Sequence, residues 1–378
     1  MDFTDDFVEE LELKKKEFEK ALSTEKLTDK SQLTEKVKSC WHSLPEKYST
    51  ECSTKYAVDG SRAVRKFSNG FEFLVSRALM IGGNSTKNRS WKGTFVDLYR
   101  GPGKPEVTNR YERLISQITE TEVILDNLEE IPKGSTIYID GSLHGKYIRP
   151  LWSLELEGRE SAPFELVRKH IDLINKANER NITLIGISKA SQIRVLSKEL
   201  LNKDWPDAEI LFKFTKSPGY STPIAIGGYG FASDEYLWLQ ENPKRFAQAV
   251  TTEAINEEQT RRLISDLRKS PAIFTFHMRL EPNNETMRID VPLNALDIDH
   301  TLTSFKARPM DPSLALPICK HIREDYGDMK VYNSLLYTVD QMVRLKKQVV
   351  DQVYLKVAND VLDSETPLEV TRSYRRFM

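Results

Sequence analysis

Apolar residues recur at helical spacing between residues 7 and 48. Phe7, Leu11, Leu13, Phe18 and Leu22 form one series among Glu and Lys, and Leu33, Val37 and Trp41 form a second. The pattern predicts two short amphipathic helices. The polar stretch from Ser23 to Ser31 separates them, and Ser31-Gln32-Leu33-Thr34-Glu35 offers a capping-type start to the second. Residues 55–61 then read as a short β-prone run ending in Asp59-Gly60-Ser61. Residues 71–81 and 91–99 are two further strands, which together predict an antiparallel meander.

From residue 107 to about 130 the period is helical again. Tyr111, Leu114, Ile118, Leu125 and Leu128 make an apolar stripe that Pro132-Lys133-Gly134 ends. Residues 135–140 are the next strand, closed by Asp140-Gly141-Ser142; 163–179 is a helix and 182–187 a buried strand running into Ser188-Lys189. Strand, helix, strand implies an α/β core with parallel neighbours. Residues 190–220 read as a helix plus a basic loop. Residues 272–280 and 286–291 form a hairpin, and 315–326 and 335–362 are helices, the second long and rich in Val and Leu. No repeat of solenoid period is present beyond the two Asp-Gly-Ser echoes.

Composition narrows the classes. The 378 residues carry 55 Lys and Arg against 56 Asp and Glu, so a uniformly basic nucleic-acid coat is excluded while a local basic groove is not. The longest apolar candidate, 223–232, is too short and glycine-interrupted to span a membrane. The acidic start Met1-Asp2-Phe3-Thr4-Asp5-Asp6 lacks the basic and apolar regions of a leader, which leads us to expect a cytoplasmic protein. Cys40, Cys52 and Cys319 show no CxxC spacing, and the six histidines no ligand spacing. Gly82-Gly83-Asn84 and Gly227-Gly228-Tyr229-Gly230 lack the Lys-Ser/Thr of a P-loop, so no ATP site is expected.

The candidate chemistry is acidic. Asp59 and Asp140 each end a β-prone run, and two carboxylates on adjacent strand ends can share Mg²⁺ or Mn²⁺. Each Asp-Gly is equally a turn start. Glu122 falls between Ile118 and Leu125 on the apolar stripe, where a carboxylate must be paired, neutralised or coordinated. Rotating the helix by one residue would leave Glu120 or Glu122 in solvent, so the sequence leaves open whether Glu122, Glu120 or the weaker candidate Glu112 is the helix ligand. Asp340 adds a fourth acid near the start of the last long helix, where it reads alternatively as an ordinary exposed residue. Strand-Asp, meander, helix-Glu, strand-Asp and a late helical acid is the plan of ribonuclease H-like nucleases. The fold class expected is therefore α/β, a ribonuclease H-like mixed sheet flanked by helices, with helical extensions at both ends.

The chain also resembles a known family, the NurA nucleases of archaea and bacteria. The resemblance rests on Tyr56-Ala57-Val58-Asp59-Gly60-Ser61, the Glu122 helix, Ile137-Tyr138-Ile139-Asp140-Gly141-Ser142-Leu143, Gly186-Ile187-Ser188-Lys189 and Met287-Arg288-Ile289-Asp290-Val291-Pro292, in that order. It covers about residues 55–345. It implies a homodimer, Mn²⁺- or Mg²⁺-dependent cleavage of DNA, and partnership with a HerA-like hexameric ATPase that translocates DNA, in end processing or anti-phage defence. The family often carries a histidine in the late helix where this chain has Asp340.

On this reading Asp59, Glu122, Asp140 and Asp340 are the metal ligands of a two-metal site, with Asp59 bridging both ions during in-line attack on a phosphodiester. The family pattern puts Lys189 beside the site to orient a phosphate, although it also reads as a surface lysine; Ser61 and Ser142 lie behind the acids. Arg194 and Lys198 form a small basic strip, and Lys213, Lys216, Tyr220, Tyr229 and Phe231 are candidates for gripping single-stranded DNA. Arg372, Arg375 and Arg376 make a basic tail. The expected division is a helical extension over 1–50, a nuclease domain over 51–345 with a middle insertion around 190–310, and a second extension over 346–378. Two rivals remain: a catalytically weak adaptor of the motor ring, and an RNA-directed enzyme of the same fold.

Overall fold

The computed structural model describes residues 4–22, 30–44, 54–84, 87–148, 154–227, 257–302, 307–328 and 330–362. In chain order, α1 (Thr4–Leu22) and α2 (Lys30–Ser39) precede β1 (Trp41–His42), β2 (Lys55–Lys66), β3 (Phe71–Asn84) and β4 (Lys87–Arg100). Next come α3 (Pro105–Asn127), β5 (Thr136–Asp140), α4 (Leu143–Ile148), α5 (Ala162–Glu179) and β6 (Thr183–Ser188). The remainder comprises α6 (Val195–Leu201), α7 (Asp207–Phe214), β7 (Gly219–Ser221), β8 (Ile224–Ile226), α8 (Glu257–Lys269), β9 (Ile273–Arg279) and β10 (Met287–Pro292). It closes with β11 (Arg308–Pro309), α9 (Leu316–Glu324) and α10 (Ser334–Val343), followed by the helical stretch from Lys347 to Leu362.

The strands of the described residues join one mixed sheet, ordered β1-β7-β9-β10-β6-β5-β2-β3-β4, with β8 paired to β9 and β11 to β8. β2, β5 and β6 are mutually parallel, while β3 and β4 fold back antiparallel. The five strands β4-β3-β2-β5-β6 are the ribonuclease H-like arrangement expected from the sequence.

Strand alternation explains why this sheet is covered on both sides. Tyr56, Val58, Ile137 and Ile139 point into one core with Val123 and Ile124 of α3 and Ile171 and Ile174 of α5. Ala57, Tyr138, Ile185 and Ile187 point the other way, against Ile318 and Ile322 of α9 and Leu336 and Val339 of α10. Successive residues of a strand face opposite sides, so continuous apolar runs suit a doubly covered parallel centre. Each fully buried aliphatic side chain contributes roughly 1.5–3 kcal/mol.

Four local expectations are corrected. β2 does not stop at Ser61, because its antiparallel pairing with β3 continues to Lys66. The second N-terminal helix ends at Ser39, and Trp41 and His42 pair with Ser221 and Tyr220 instead. The basic loop expected over 190–220 contains a second helix, α7, and a strand, β7. The long C-terminal helix is broken at Arg344, which adopts extended ψ 117. Among the described residues no helix is long and apolar enough to cross a membrane.

Candidate active site

The parallel register sets Val58 opposite Ile139, and so carries Asp59 alongside Asp140 where β5 ends. Asp140 leaves its strand through Gly141, whose φ of +97° only glycine adopts readily. Gly60 is needed for a different reason. A Cβ there would lie 2.5 Å from Glu120 Oε1 and 2.9 Å from Ser116 Oγ, so the missing side chain is the hollow that admits a helix carboxylate. The two Asp-Gly-Ser motifs look alike and do unlike things.

The helix acid facing Asp59 is Glu120, and Glu122 is not in the cluster. α3 is buried around more than one stripe: Leu114 and Ile118 pack with Leu154, Leu156 and Leu166, while Thr119 reaches Ser76 of β3. Ser116 and Glu120 turn toward Gly60. Glu122 instead lies at the seam with α5 and pairs with Lys169 Nζ at 2.9 Å. Glu112 is held by Arg62 at 3.6 Å, outside the cluster.

Electrostatics tie the acids together. Asp59 is 9% exposed, and its carboxyl is pushed up to about 7, first by burial, then by the charges of Glu120 and Asp140, with Asp340 adding to them. Ionising it at neutral pH without a counter-charge costs on the order of 4 kcal/mol more than for a free carboxylate. Glu120 is also raised by burial, against the pull of Lys146, whose Nζ lies 3.6 Å from Glu120 Oε2. Asp140 is exposed as a residue at the end of β5, with protein packed around its carboxylate. This crowding raises it, Lys189 and Lys146 lower it, and Asp340 raises it again.

Asp340 sits exposed on α10, close enough to act on both strand acids. That helix end is pinned to the sheet: Ser61 Oγ accepts from Leu345 N at 2.8 Å, and Arg77 donates to the carbonyls of Val343 and Arg344. Lys189 Nζ lies 3.6 Å over the ring of Tyr332. The Tyr332 hydroxyl is pushed well above its ordinary pKa by burial and by Asp140, Asp59 and Asp340.

Lys146 and Tyr332 were not among the sequence candidates. Lys146 follows Asp140-Gly141-Ser142 by four residues and is 4% exposed; no pattern marks a buried lysine. The residues read as a basic strip and as DNA-gripping candidates have unlike surroundings. Tyr220 is a core residue beside Phe276, and Arg194 and Lys198 both pair with Asp204. Lys213 and Lys216 lie over Trp205 and Phe212. Tyr229, Phe231, Arg372, Arg375 and Arg376 lie outside the described residues.

The donor set consists of the carboxylates of Asp59, Glu120, Asp140 and Asp340. Among the described residues no three His, Cys, Asp or Glu side chains close tightly enough to hold an ion. Its chemistry fits nonetheless: hard carboxylate oxygens, mutual repulsion among the acids, and a glycine-lined hollow kept open for one of them.

The NurA domain family model matches residues 53–315. No curated protein matches the chain. Among solved structures, the chain is similar to the NurA nuclease from Sulfolobus solfataricus, with 17% identity, a TM-score of 0.61, and coverage of 95% of this chain and 98% of the other. It is also similar to NurA with manganese, at 12% identity, TM-score 0.55 and coverage of 96% and 99%. For NurA bound to dAMP and manganese the values are 12%, 0.54, 91% and 96%.

Proposed function

The chain belongs to the NurA domain family, and from that premise we propose that it is a divalent-metal-dependent DNA nuclease acting at Asp59, Glu120, Asp140 and Asp340. The observation that carries this reading is the gathering of carboxylates from two parallel strands, α3 and α10 around the hollow at Gly60, with charges that raise one another. The manganese in the structures of relatives supports Mn²⁺, with Mg²⁺ the other hard cation suited to these donors.

Asp59, Glu120 and Asp140 would hold the cation, with Asp340 approaching from α10. A bound metal would supply charge neutralisation at the phosphodiester and activation of the attacking water. Lys146 offsets the charges of Glu120 and Asp140 from the protein side. Lys189, held over Tyr332, orients the scissile phosphate. Tyr332 keeps its proton beside Asp140, Asp59 and Asp340.

The proposal includes a homodimer and a HerA-like hexameric translocase as partner. Phe7, Leu11 and Phe18 on α1 and Val353, Val357 and Val361 near the C-terminus leave exposed apolar faces that suit such contacts. The test is cleavage of linear double- and single-stranded DNA, and of matched RNA, by wild type and Asp59→Ala with Mn²⁺, Mg²⁺ or EDTA, with and without the ATPase. Metal-dependent DNA cleavage lost in Asp59→Ala is the expected result. No cleavage under any condition would favour the adaptor, preferential RNA cleavage would favour the RNA-directed enzyme, and unchanged cleavage by Asp59→Ala would remove the site.

A further inference from the structure

Behind the carboxylate cluster lies an acid that does not face it. Asp290 of β10 is 0% exposed, and its carboxylate is fully engaged. Oδ1 accepts from Thr275 Oγ1 at 2.7 Å and from Arg288 Nε at 2.8 Å. Oδ2 accepts from Ser142 Oγ at 2.7 Å and from His144 N at 3.3 Å. Ser142 Oγ in turn accepts from Gly145 N at 2.9 Å. Asp290 and Ser142 thereby satisfy two of the backbone donors that the first turn of α4 would leave without partners.

The segment held this way carries a site residue at each end. Asp140 lies two residues before Ser142, and Lys146 lies four after it, its ammonium against Glu120. Gly141 N also donates to Ile187 O at 2.8 Å, and Leu143 O is bonded by His170 Nε2 at 3.0 Å. Stability alone does not account for the buried Asp290–Arg288 pair, because a buried ion pair is often no better than apolar residues of similar volume. What the pair does supply is an ionised anchor whose second oxygen fixes one turn in one place.

We infer that Asp290 is a positioning residue: through Ser142 and the start of α4 it sets Asp140 and Lys146 together against Asp59 and Glu120. The inference rests on the nuclease reading above for its kinetic consequences, but not for its geometry. A displacement of about 1 Å at a catalytic group can cost about 100-fold in rate. Residues that would meet DNA, such as Lys189, are not touched by this anchor.

The experiment compares Asp290→Asn, Ser142→Ala, Ser142→Thr and Thr275→Val in the full-length protein. Thr275→Val removes a hydrogen bond from the oxygen of Asp290 that faces away from the turn, so it reports on a merely structural role. The readouts are kcat and KM on an oligonucleotide with Mn²⁺, the affinity for Mn²⁺ alone by electron paramagnetic resonance, and thermal stability. Asp290→Asn and Ser142→Ala are expected to lower kcat by about ten- to a hundred-fold with KM within about two-fold, and to weaken Mn²⁺ binding. Ser142→Thr is expected to restore most of both, and Thr275→Val to lose stability without that loss of kcat. Wild-type kcat and Mn²⁺ affinity in folded Asp290→Asn and Ser142→Ala would overturn the inference, as would an equal loss in Thr275→Val. A wild type that binds Mn²⁺ but cuts nothing would defeat the nuclease reading alone, leaving Mn²⁺ affinity to decide this one. A wild type that does neither would overturn both.

Discussion

Gly60 and Glu120 fit as hollow and occupant: a Cβ on the glycine would stand 2.5 Å from Glu120 Oε1. Gly60→Ala must therefore displace the carboxylate or the strand. We expect overpacking to cost roughly 1–3 kcal/mol in denaturant unfolding. DNA cleavage should fall about 100-fold, as for a misplaced catalytic group. Wild-type cleavage by this variant would mean that Glu120 is dispensable.

The choice between the two neighbouring helix acids is directly testable. Glu120→Gln should abolish most metal-dependent cleavage, whereas Glu122→Gln removes only a partly exposed pair with Lys169 and should change stability by about 1 kcal/mol or less. Kinetics of the two variants side by side would show the reverse order if α3 faced the site as the apolar stripe alone implies.

Asp59 gives a prediction about pH. Its folded pKa of about 7 lies above its unfolded value, so stability it contributes is present at acid pH and lost as pH rises through 7. In EDTA, Asp59→Asn should be more stable than wild type at pH 8, by a few kcal/mol at most. The gain should vanish near pH 4. Chemical denaturation at the two pH values checks this, and an equal difference at both would refute the shift.

His144 and His170 act in the opposite direction. Both are buried and held down to about 3 by burial. Their folded pKa values lie below the unfolded one, so the stability they contribute is present above about 6.5 and is lost as pH falls toward 3. Each can supply about 1.4 kcal/mol per pH unit within that window. His170→Asn should flatten the fall in unfolding midpoint between pH 6 and 4 relative to wild type. An unchanged slope would show that His170 titrates normally.

Lys189 lies over Tyr332 and close to Asp140. Lys189→Ala should lower kcat/KM on DNA by about ten-fold and reduce the salt dependence of binding by about one phosphate contact. A loss confined to kcat, with the salt slope unchanged, would argue against phosphate contact.

Much of this was legible in the chain because parallel strands buried on both faces leave continuous apolar runs, and 136–140 and 183–188 are such runs. Asp59 and Asp140 stood out because the runs stop or turn at them. Glu120 did not, because the stripe of Leu114 and Ile118 marks where α3 meets its neighbours rather than where it meets Gly60. The break at Arg344 was hidden as well, since Val and Leu keep a helical rhythm across it. Lys146 was invisible in principle: nothing in a lysine's sequence neighbourhood states that another element will bury it.

The continuation of β2 past Asp59 has a mechanical meaning. Asp59 is held in mid-strand, with β3 paired along the whole of β2 and β5 alongside up to Val58; Asp140 is the last residue of β5, paired with Ile187 of β6, and Asp340 lies three residues from the end of α10, beside the tie of Leu345 to Ser61. The acids are thus fastened to the sheet from three directions, so their mutual repulsion cannot relax by one of them backing away and is left for a cation to relieve.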